Sequence, residues 1–275
     1  MSKTVLSQVD ADGNATVLLN RPDVHNAFDP EMVEALTGTL KKLDADPKVR
    51  AVVLTGAGKS FSAGADIGHM KKSARATRAQ NLEDARGIAG MLLALYTVKK
   101  PTIACVRGAV RGGGLGLVAA CDIAIADFTA TFRLSEVRLG ILPATISPYV
   151  IAAIGERVAR RYMLSGEEFD CAEAYRIGLL HEICPADELS GTVGRMLAQL
   201  YLGGPAAITA IKRLIPDISR SDIDAAVVEK TAQALADLRA TPEAQEGLSA
   251  FLEKRKARWV EPPAPAKKTA AKRSR

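Results

Sequence analysis

Two glycine-rich segments carry the residues best suited to chemistry in this chain, and they would act through the main chain. Arg111-Gly112-Gly113-Gly114-Leu115 joins a short apolar run at 102–106, bounded by Pro101 and Gly108, to a second apolar run at 115–120. This spacing reads as a buried strand, a tight turn and a buried helix. The first N–H groups of a helix have no partner within it and lie at the positive end of its dipole. Glycine in that turn lets another molecule come close to the backbone. Leu54-Thr55-Gly56-Ala57-Gly58-Lys59-Ser60-Phe61-Ser62-Ala63-Gly64-Ala65-Asp66-Ile67 has the same character after the apolar run 51–54. One such segment is equally well a plain turn. Two of them supply a pair of N–H donors that can converge on one oxygen, the geometry of an oxyanion hole. Among the side chains, Cys105, Cys121, Cys171 and Cys184 show no Cys-x-x-Cys spacing, and His25, His69 and His181 form no pair at helical ligand spacing. Buried free thiols are expected rather than a metal site or disulfides.

The elements that must position these segments follow from periodicity. Residues 5–9 and 15–19 read as two strands around the turn Asp10-Ala11-Asp12-Gly13-Asn14, and residues 30–43 place Met32, Val33, Leu36, Leu40 and Leu43 at helical spacing. Residues 51–54, 102–106 and 123–126 are further strands, separated by helical or glycine-rich segments, which predicts an α/β core with covered sheets. Strand signals fade from about Ile146, and 156–164, 171–177, 188–202, 205–214, 222–240 and 242–256 read as helices. The expected organisation is an α/β core over 1–200, a helical region over 201–258 and a Pro/Ala/Lys-rich tail over 259–275. The tail composition predicts disorder.

Several motifs, in order, resemble the enoyl-CoA hydratase/isomerase (crotonase) superfamily: Asn20-Arg21-Pro22-Asp23-Val24-His25-Asn26-Ala27, Ser62-Ala63-Gly64-Ala65-Asp66-Ile67, Gly112-Gly113-Gly114 and Cys121-Asp122-Ile123-Ala124. The resemblance covers roughly 4–258. It implies a spiral of ββα repeats followed by a helical region used in trimer assembly, although the repeat is not obvious in the sequence. Members bind an acyl-coenzyme A thioester and stabilise its enolate. By motif position, the N–H groups of Ala65 and Gly113 would form the oxyanion hole. Val24, Ala27, Ala63, Asp66, Ile67 and Gly112 would line the coenzyme path, with the plain turn or packing position as the alternative for each. No cofactor is implied, since coenzyme A is part of the substrate.

The chain departs from the familiar two-glutamate hydratases. Their first glutamate position is Gly116 here, and the second matches Glu136 in Phe132-Arg133-Leu134-Ser135-Glu136-Val137-Arg138. A carboxylate beside an apolar acyl pocket has its pKa raised by desolvation, which suits proton transfer, unless Arg133 and Arg138 point inward. One glutamate fits a Δ3–Δ2 enoyl-CoA isomerase and a hydratase alike. The segment Leu134-Ser135-Glu136 to Tyr149-Val150, with Ala144-Thr145-Ile146-Ser147-Pro148 in place of a glycine-rich stretch, is similar to bacterial methylglutaconyl-CoA hydratases of leucine breakdown and tips the reading to hydration. For a distal substrate carboxylate Arg111 is a candidate cation, with a surface or coenzyme-phosphate role as its alternative. His69 could touch the acyl group, and Ser147 and Tyr149 are weaker candidates.

Composition bounds the rest. An apolar share of 48% in 275 residues is ample for a buried core. No run approaches the roughly 20 apolar residues that span a bilayer, and no signal-peptide core opens the chain, so the cytoplasm is the default. Of the net charge of +6, +4 resides in residues 261–275. The nearly neutral body makes a nucleic-acid partner unlikely to arise from global charge, although the tail and Lys71-Lys72-Ser73-Ala74-Arg75-Ala76-Thr77-Arg78 are the basic elements an RNA would meet. The expected partners are an acyl-CoA substrate and copies of the same chain, as a trimer or a hexamer of two trimers.

Overall fold

The computed structural model describes residues 3–260, and the basic tail expected to be disordered lies outside them, apart from its first two residues. The Asp10 carboxylate closes the first turn by accepting from the N–H groups of Asp12 (3.0 Å) and Asn14 (2.8 Å). It thereby sets β1 (Val5–Val9) antiparallel to β2 (Asn14–Leu19). From β2 a parallel sheet continues through β3 (Ala51–Gly56), β5 (Thr102–Val106), β7 (Ile123–Asp127) and β10 (Glu182–Cys184). Leu54 lies opposite both Val17 and Ala104 in this sheet. Strands covered on both faces read as continuous apolar runs, which is why 51–54 was legible.

A second sheet of short strands runs β4 (Ser60–Ser62), β6 (Ala109–Arg111), β8 (Thr131–Arg133) and β9 (Glu168–Asp170). Each of β3, β5 and β7 is followed within a few residues by a member of this sheet and then by helix, so the expected spiral of ββα units is present. Three-residue strands are too short to show a period, which hid the repeat. For the same reason the fading of strand signals after Ile146 needs correction, because β9 and β10 both lie beyond it.

The helices that hold the site are α1 (Pro30–Ala45), α2 (Ile67–Ser73), α3 (Arg78–Thr97), α4 (Gly113–Ala120) and α5 (Ser147–Ser165). Asp29 caps α1 by accepting from the N–H of Met32, and Leu36, Leu40, Leu92 and Leu95 pack α1 and α3 into the main core. The helix α4 is apolar almost all round and buried, as a core helix should be. The helix α5 is broken at Gly155 (φ +75°), so the predicted start at 156 marks its second half. After α6 (Cys171–Arg176), α7 (Leu189–Leu202) places Leu189 and Val193 against Val53, Ile103 and Ile125 on the outer face of the first sheet.

The chain divides into two compact units after Leu200. Within the second, α8 (Pro205–Ile218), α9 (Ala225–Arg239) and α10 (Pro242–Leu252) form the helical region. There the Glu243 carboxylate caps α8 by accepting from the N–H groups of Ala206 and Ala207, and Trp259 Nε1 donates to Leu202 O at 3.2 Å. Among the described residues no helix is long and apolar enough to cross a membrane.

Candidate active site

The site is built on Asn26, a residue quoted in the first motif without a role. It is fully buried at φ +55°, a conformation that asparagine tolerates better than most residues. Its Nδ2 donates to the carbonyls of Ala57, Ser60 and Phe61 at 2.8–3.2 Å, and its Oδ1 accepts from Arg21 N–H at 2.9 Å. One side chain thus ties the 21–27 turn to the 57–61 turn. Ser62, also fully buried, donates to Asn26 O at 2.9 Å and accepts from Gly64 N–H at 3.2 Å. Arg21 links the same pieces by ion pairs to Asp29 (2.9 Å) and Asp66 (3.1 Å). These residues were missed because their work is holding loops together. An asparagine in a turn that also holds Pro22 and Asp23 was the one available signal.

Phe28 and Ala65 form a parallel bridge in which Phe28 N–H donates to Gly64 O (2.6 Å) and Asp66 N–H to Phe28 O (2.9 Å). That pattern uses the groups flanking Ala65 and leaves the N–H of Ala65 directed away from the bridge. Across from it, Gly113 opens α4, and a first-turn N–H has no partner within its helix. The two segments meet closely: a side chain at Gly64 (φ +79°) would lie 2.7 Å from Arg111 O and 3.2 Å from Gly113 N. The two donors are therefore neighbours, as an oxyanion hole requires.

Glu136 stands beside them at the start of a 3₁₀ turn, Glu136–Leu139. A side chain at Gly112 (φ +46°) would lie 2.8 Å from Glu136 Oε1, so the carboxylate rests on the glycine that precedes Gly113. Among the described residues, Glu136 Oε2 is the one buried side-chain polar atom without a hydrogen-bond partner. Burial pushes the carboxyl pKa upward, opposed only by the residue's own backbone N–H. The two arginines that could have reversed this turn elsewhere. Arg133 Nε donates to Gly166 O at 2.8 Å, and Arg138 packs at Gly166.

The remaining sequence candidates separate into two groups. Val24, Ala63, Asp66 and Ile67 line the loops around Ala65, joined by Ala63 N–H to His25 O at 2.8 Å, and Ile67 is 72% exposed. Ala27 is buried, so its side chain packs beneath the loop. Asp66 caps α2 by accepting from His69 N–H at 3.0 Å. Burial works to raise its pKa, but that bond and the Arg21 guanidinium outweigh it and hold the carboxyl below the usual range. The other group is already paired within the protein. Arg111 donates to Thr131 O (2.8 Å), Thr131 Oγ1 (3.0 Å) and Glu168 (2.6 Å), while His69 Nε2 pairs with Asp84 at 2.8 Å. Ser147 Oγ donates to Ala144 O, and Tyr149 sits edge-on to Tyr96 with ring centroids 5.4 Å apart.

Known proteins resemble this chain over most of its length. The enoyl-CoA hydratase/isomerase family description matches residues 11–262. The short-chain-enoyl-CoA hydratase of Clostridium acetobutylicum is 33% identical over 248 residues, covering 88% of this chain and 92% of that protein. The 2,3-dehydroadipyl-CoA hydratase of Escherichia coli is 31% identical over 238 residues, covering 86% and 91%. Among solved structures, an enoyl-CoA hydratase from Shewanella pealeana matches with a TM-score of 0.90 and 39% identity, covering 93% of this chain and 96% of that one. With the fold, the paired glycine loops and this breadth of likeness in agreement, the chain belongs to the enoyl-CoA hydratase/isomerase family.

Proposed function

We propose that the protein is an enoyl-CoA hydratase that works with a single carboxylate, Glu136, and that its substrate is 3-methylglutaconyl-CoA, hydrated reversibly to 3-hydroxy-3-methylglutaryl-CoA. The observation that carries the reaction is the buried, unpartnered oxygen of Glu136 beside the Gly112-Gly113 turn. In this reading the thioester oxygen accepts from the N–H groups of Ala65 and Gly113. Ionised Glu136 takes a proton from water as its oxygen bonds to C3, and the electrons of the double bond move toward the thioester as an enolate. Protonated Glu136 then returns that proton to C2. One carboxyl serves as base and then acid, which suits a group whose pKa is raised toward neutrality.

The acyl group rests on the likeness of 134–150 to methylglutaconyl-CoA hydratases. It gains support from the E. coli relative, whose name gives a dicarboxylic acyl group. Assembly as a homotrimer, or as two trimers, is part of the same proposal. Ile211, Ile215, Phe251 and Leu252 of the helical region are large apolar residues left more than half exposed in the single chain. Light scattering on the purified protein reads the assembly directly.

Turnover on 3-methylglutaconyl-CoA, crotonyl-CoA and a 3-enoyl-CoA, with Glu136→Gln alongside, tests the reaction. Hydration of the first substrate is expected to be fastest and to fall about 10²–10⁴-fold in the variant. Double-bond migration without water addition would replace the hydratase reading by an isomerase. Hydration that survives in Glu136→Gln would refute the single-carboxylate mechanism.

A further inference from the structure

The helix α2 (Ile67–Ser73) starts two residues after Ala65, so whatever fixes this helix fixes one end of the loop that presents the Ala65 N–H. The core does not do so. None of the seven residues of α2 is buried, whereas α3 is anchored by Met91, Leu92 and Leu95 in the main core. A helix this short does not persist in water by propensity alone. Without a buried face it must be held by polar contacts, and these can be traced residue by residue.

At the start of α2, Asp66 accepts from His69 N–H at 3.0 Å and pairs with Arg21 at 3.1 Å. These contacts cap the helix and tie its first turn to the 21–29 turn. Attachment to α3 comes from the side chain of His69, whose Nε2 lies 2.8 Å from Asp84 Oδ1. A carboxylate only accepts, so Nε2 carries the hydrogen and donates it. Ser73 Oγ donates to His69 O at 3.2 Å, a contact that stays within α2. Among the described residues Asp84 has no other side-chain partner, and its neighbours Glu83 and Arg86 pair with each other at 3.5 Å. Asp84 stands two turns ahead of Met91 on α3, which gives the contact a fixed base. Two bonds that meet at His69 therefore join α3 to the Ala65 loop. Asp84 holds the ring, the main-chain N–H of His69 holds Asp66, and Asp66 N–H donates to Phe28 O across the bridge that contains Ala65.

We propose that His69 is a positioning residue: with Asp84 it tethers α2 to α3 and so fixes the loop that aims the Ala65 N–H at the thioester oxygen. Its part in catalysis rests on the reading of Ala65 as an oxyanion donor. The test compares His69→Ala, Asp84→Ala, the double variant and His69→Gln, whose side-chain amide keeps a donor for Asp84. One readout needs no substrate. Lys71 and Lys72 are exposed residues of α2, so the rate of native-state trypsin cleavage at them, located by mass, reports how often the helix opens. Each alanine variant is expected to raise that rate about tenfold, the effect of losing one hydrogen bond to a charged group. The other readout is kcat and KM on whichever enoyl-CoA the wild type turns over fastest, with the thermal midpoint as a check of folding. In each alanine variant kcat should fall about tenfold and KM should rise less than about threefold, since a displaced donor is felt most in the transition state. The double variant should be no worse than the poorer single one, because both remove the same contact. His69→Gln should restore most of the loss in both readouts. Unchanged kcat in folded alanine variants would overturn the inference even if cleavage quickens, because the tether would then serve only the fold. Losses that multiply in the double variant would overturn it as well, by showing that the two residues act apart. Should His69→Ala fail to fold, His69→Phe keeps a ring without the donor and carries the same expectations. Hydration retained by Glu136→Gln would instead bring down the single-carboxylate reading and leave the tether standing.

Discussion

Gly116→Ala sets two physical effects against each other, and the structure says which wins. Helix propensity alone favours alanine over a mid-helix glycine by about 1 kcal/mol. Against this, the new methyl would lie 2.7 Å from Ile146 Cβ, well inside normal carbon–carbon contact. Rotation about χ1 relieves the overlap with Cγ2 but not the one with Cβ, which the backbone of residue 146 fixes in place. Relief must come from α4 moving against the start of α5, and both Leu92 and Ile146 are buried in the main core. Overpacking costs about 1–3 kcal/mol, and two side-chain atoms this close put it in the upper part of that range, about 2–3 kcal/mol. The expected net effect is destabilisation of about 1–2 kcal/mol, read by urea denaturation of wild type, Gly116→Ala, Ile146→Ala and the double variant. The cycle should show a favourable coupling of about 0.5–1 kcal/mol in the double variant, because Ile146→Ala removes the Cγ2 half of the clash. A neutral or stabilising Gly116→Ala would mean that propensity dominates and that the volume between Gly116, Ile146 and Leu92 is not tightly filled.

Three further outcomes follow from the same geometry. Asn26→Ala should cost about 2–4 kcal/mol in a denaturant titration, because the buried carbonyls of Ser60 and Phe61 lose their donor, and it should raise KM by loosening the coenzyme loops. Glu136→Gln should raise the thermal midpoint at neutral pH. The raised pKa means the folded state favours the protonated form, so the native Glu136 weakens the fold as pH rises through its folded pKa. The gain should vanish below about pH 4, where the carboxyl is protonated in both states, and a gain that persists there would refute the cause given. Asp66 carries the opposite sign. Its lowered pKa gives stability that is present above the ordinary aspartate range and lost as pH falls through the folded value, so Asp66→Asn should narrow the difference in midpoint between pH 7 and pH 3, with about 1 kcal/mol lost at pH 7 from the weakened cap and ion pair.

How much of the site was legible depended on what each residue does. Ala65, Gly113 and Glu136 could be picked out because their motifs are local runs of small residues or a local frame around one acid. The structure sets their segments side by side, Gly64 against Arg111 and Gly113 and Gly112 against Glu136. Arg111 and His69 looked like free polar groups in the chain because their partners, Glu168 and Asp84, are 57 and 15 residues away. Only folding reveals that their donors are engaged. Asn26 was quoted and passed over for a related reason: its acceptors lie 31 to 35 residues further on.

The sequence by itself determined the long strands, the amphipathic helices and the family, because these rest on periodicity and on contiguous motifs. The tertiary structure alone decided the second sheet, whose strands are too short to carry a period. It also decided the environment of Glu136, since desolvation is the sum of what other segments place around an atom. The sequence shows a glycine at 116 and an isoleucine at 146; that each occupies the space the other leaves is a fact about two helices packed together, thirty residues apart along the chain.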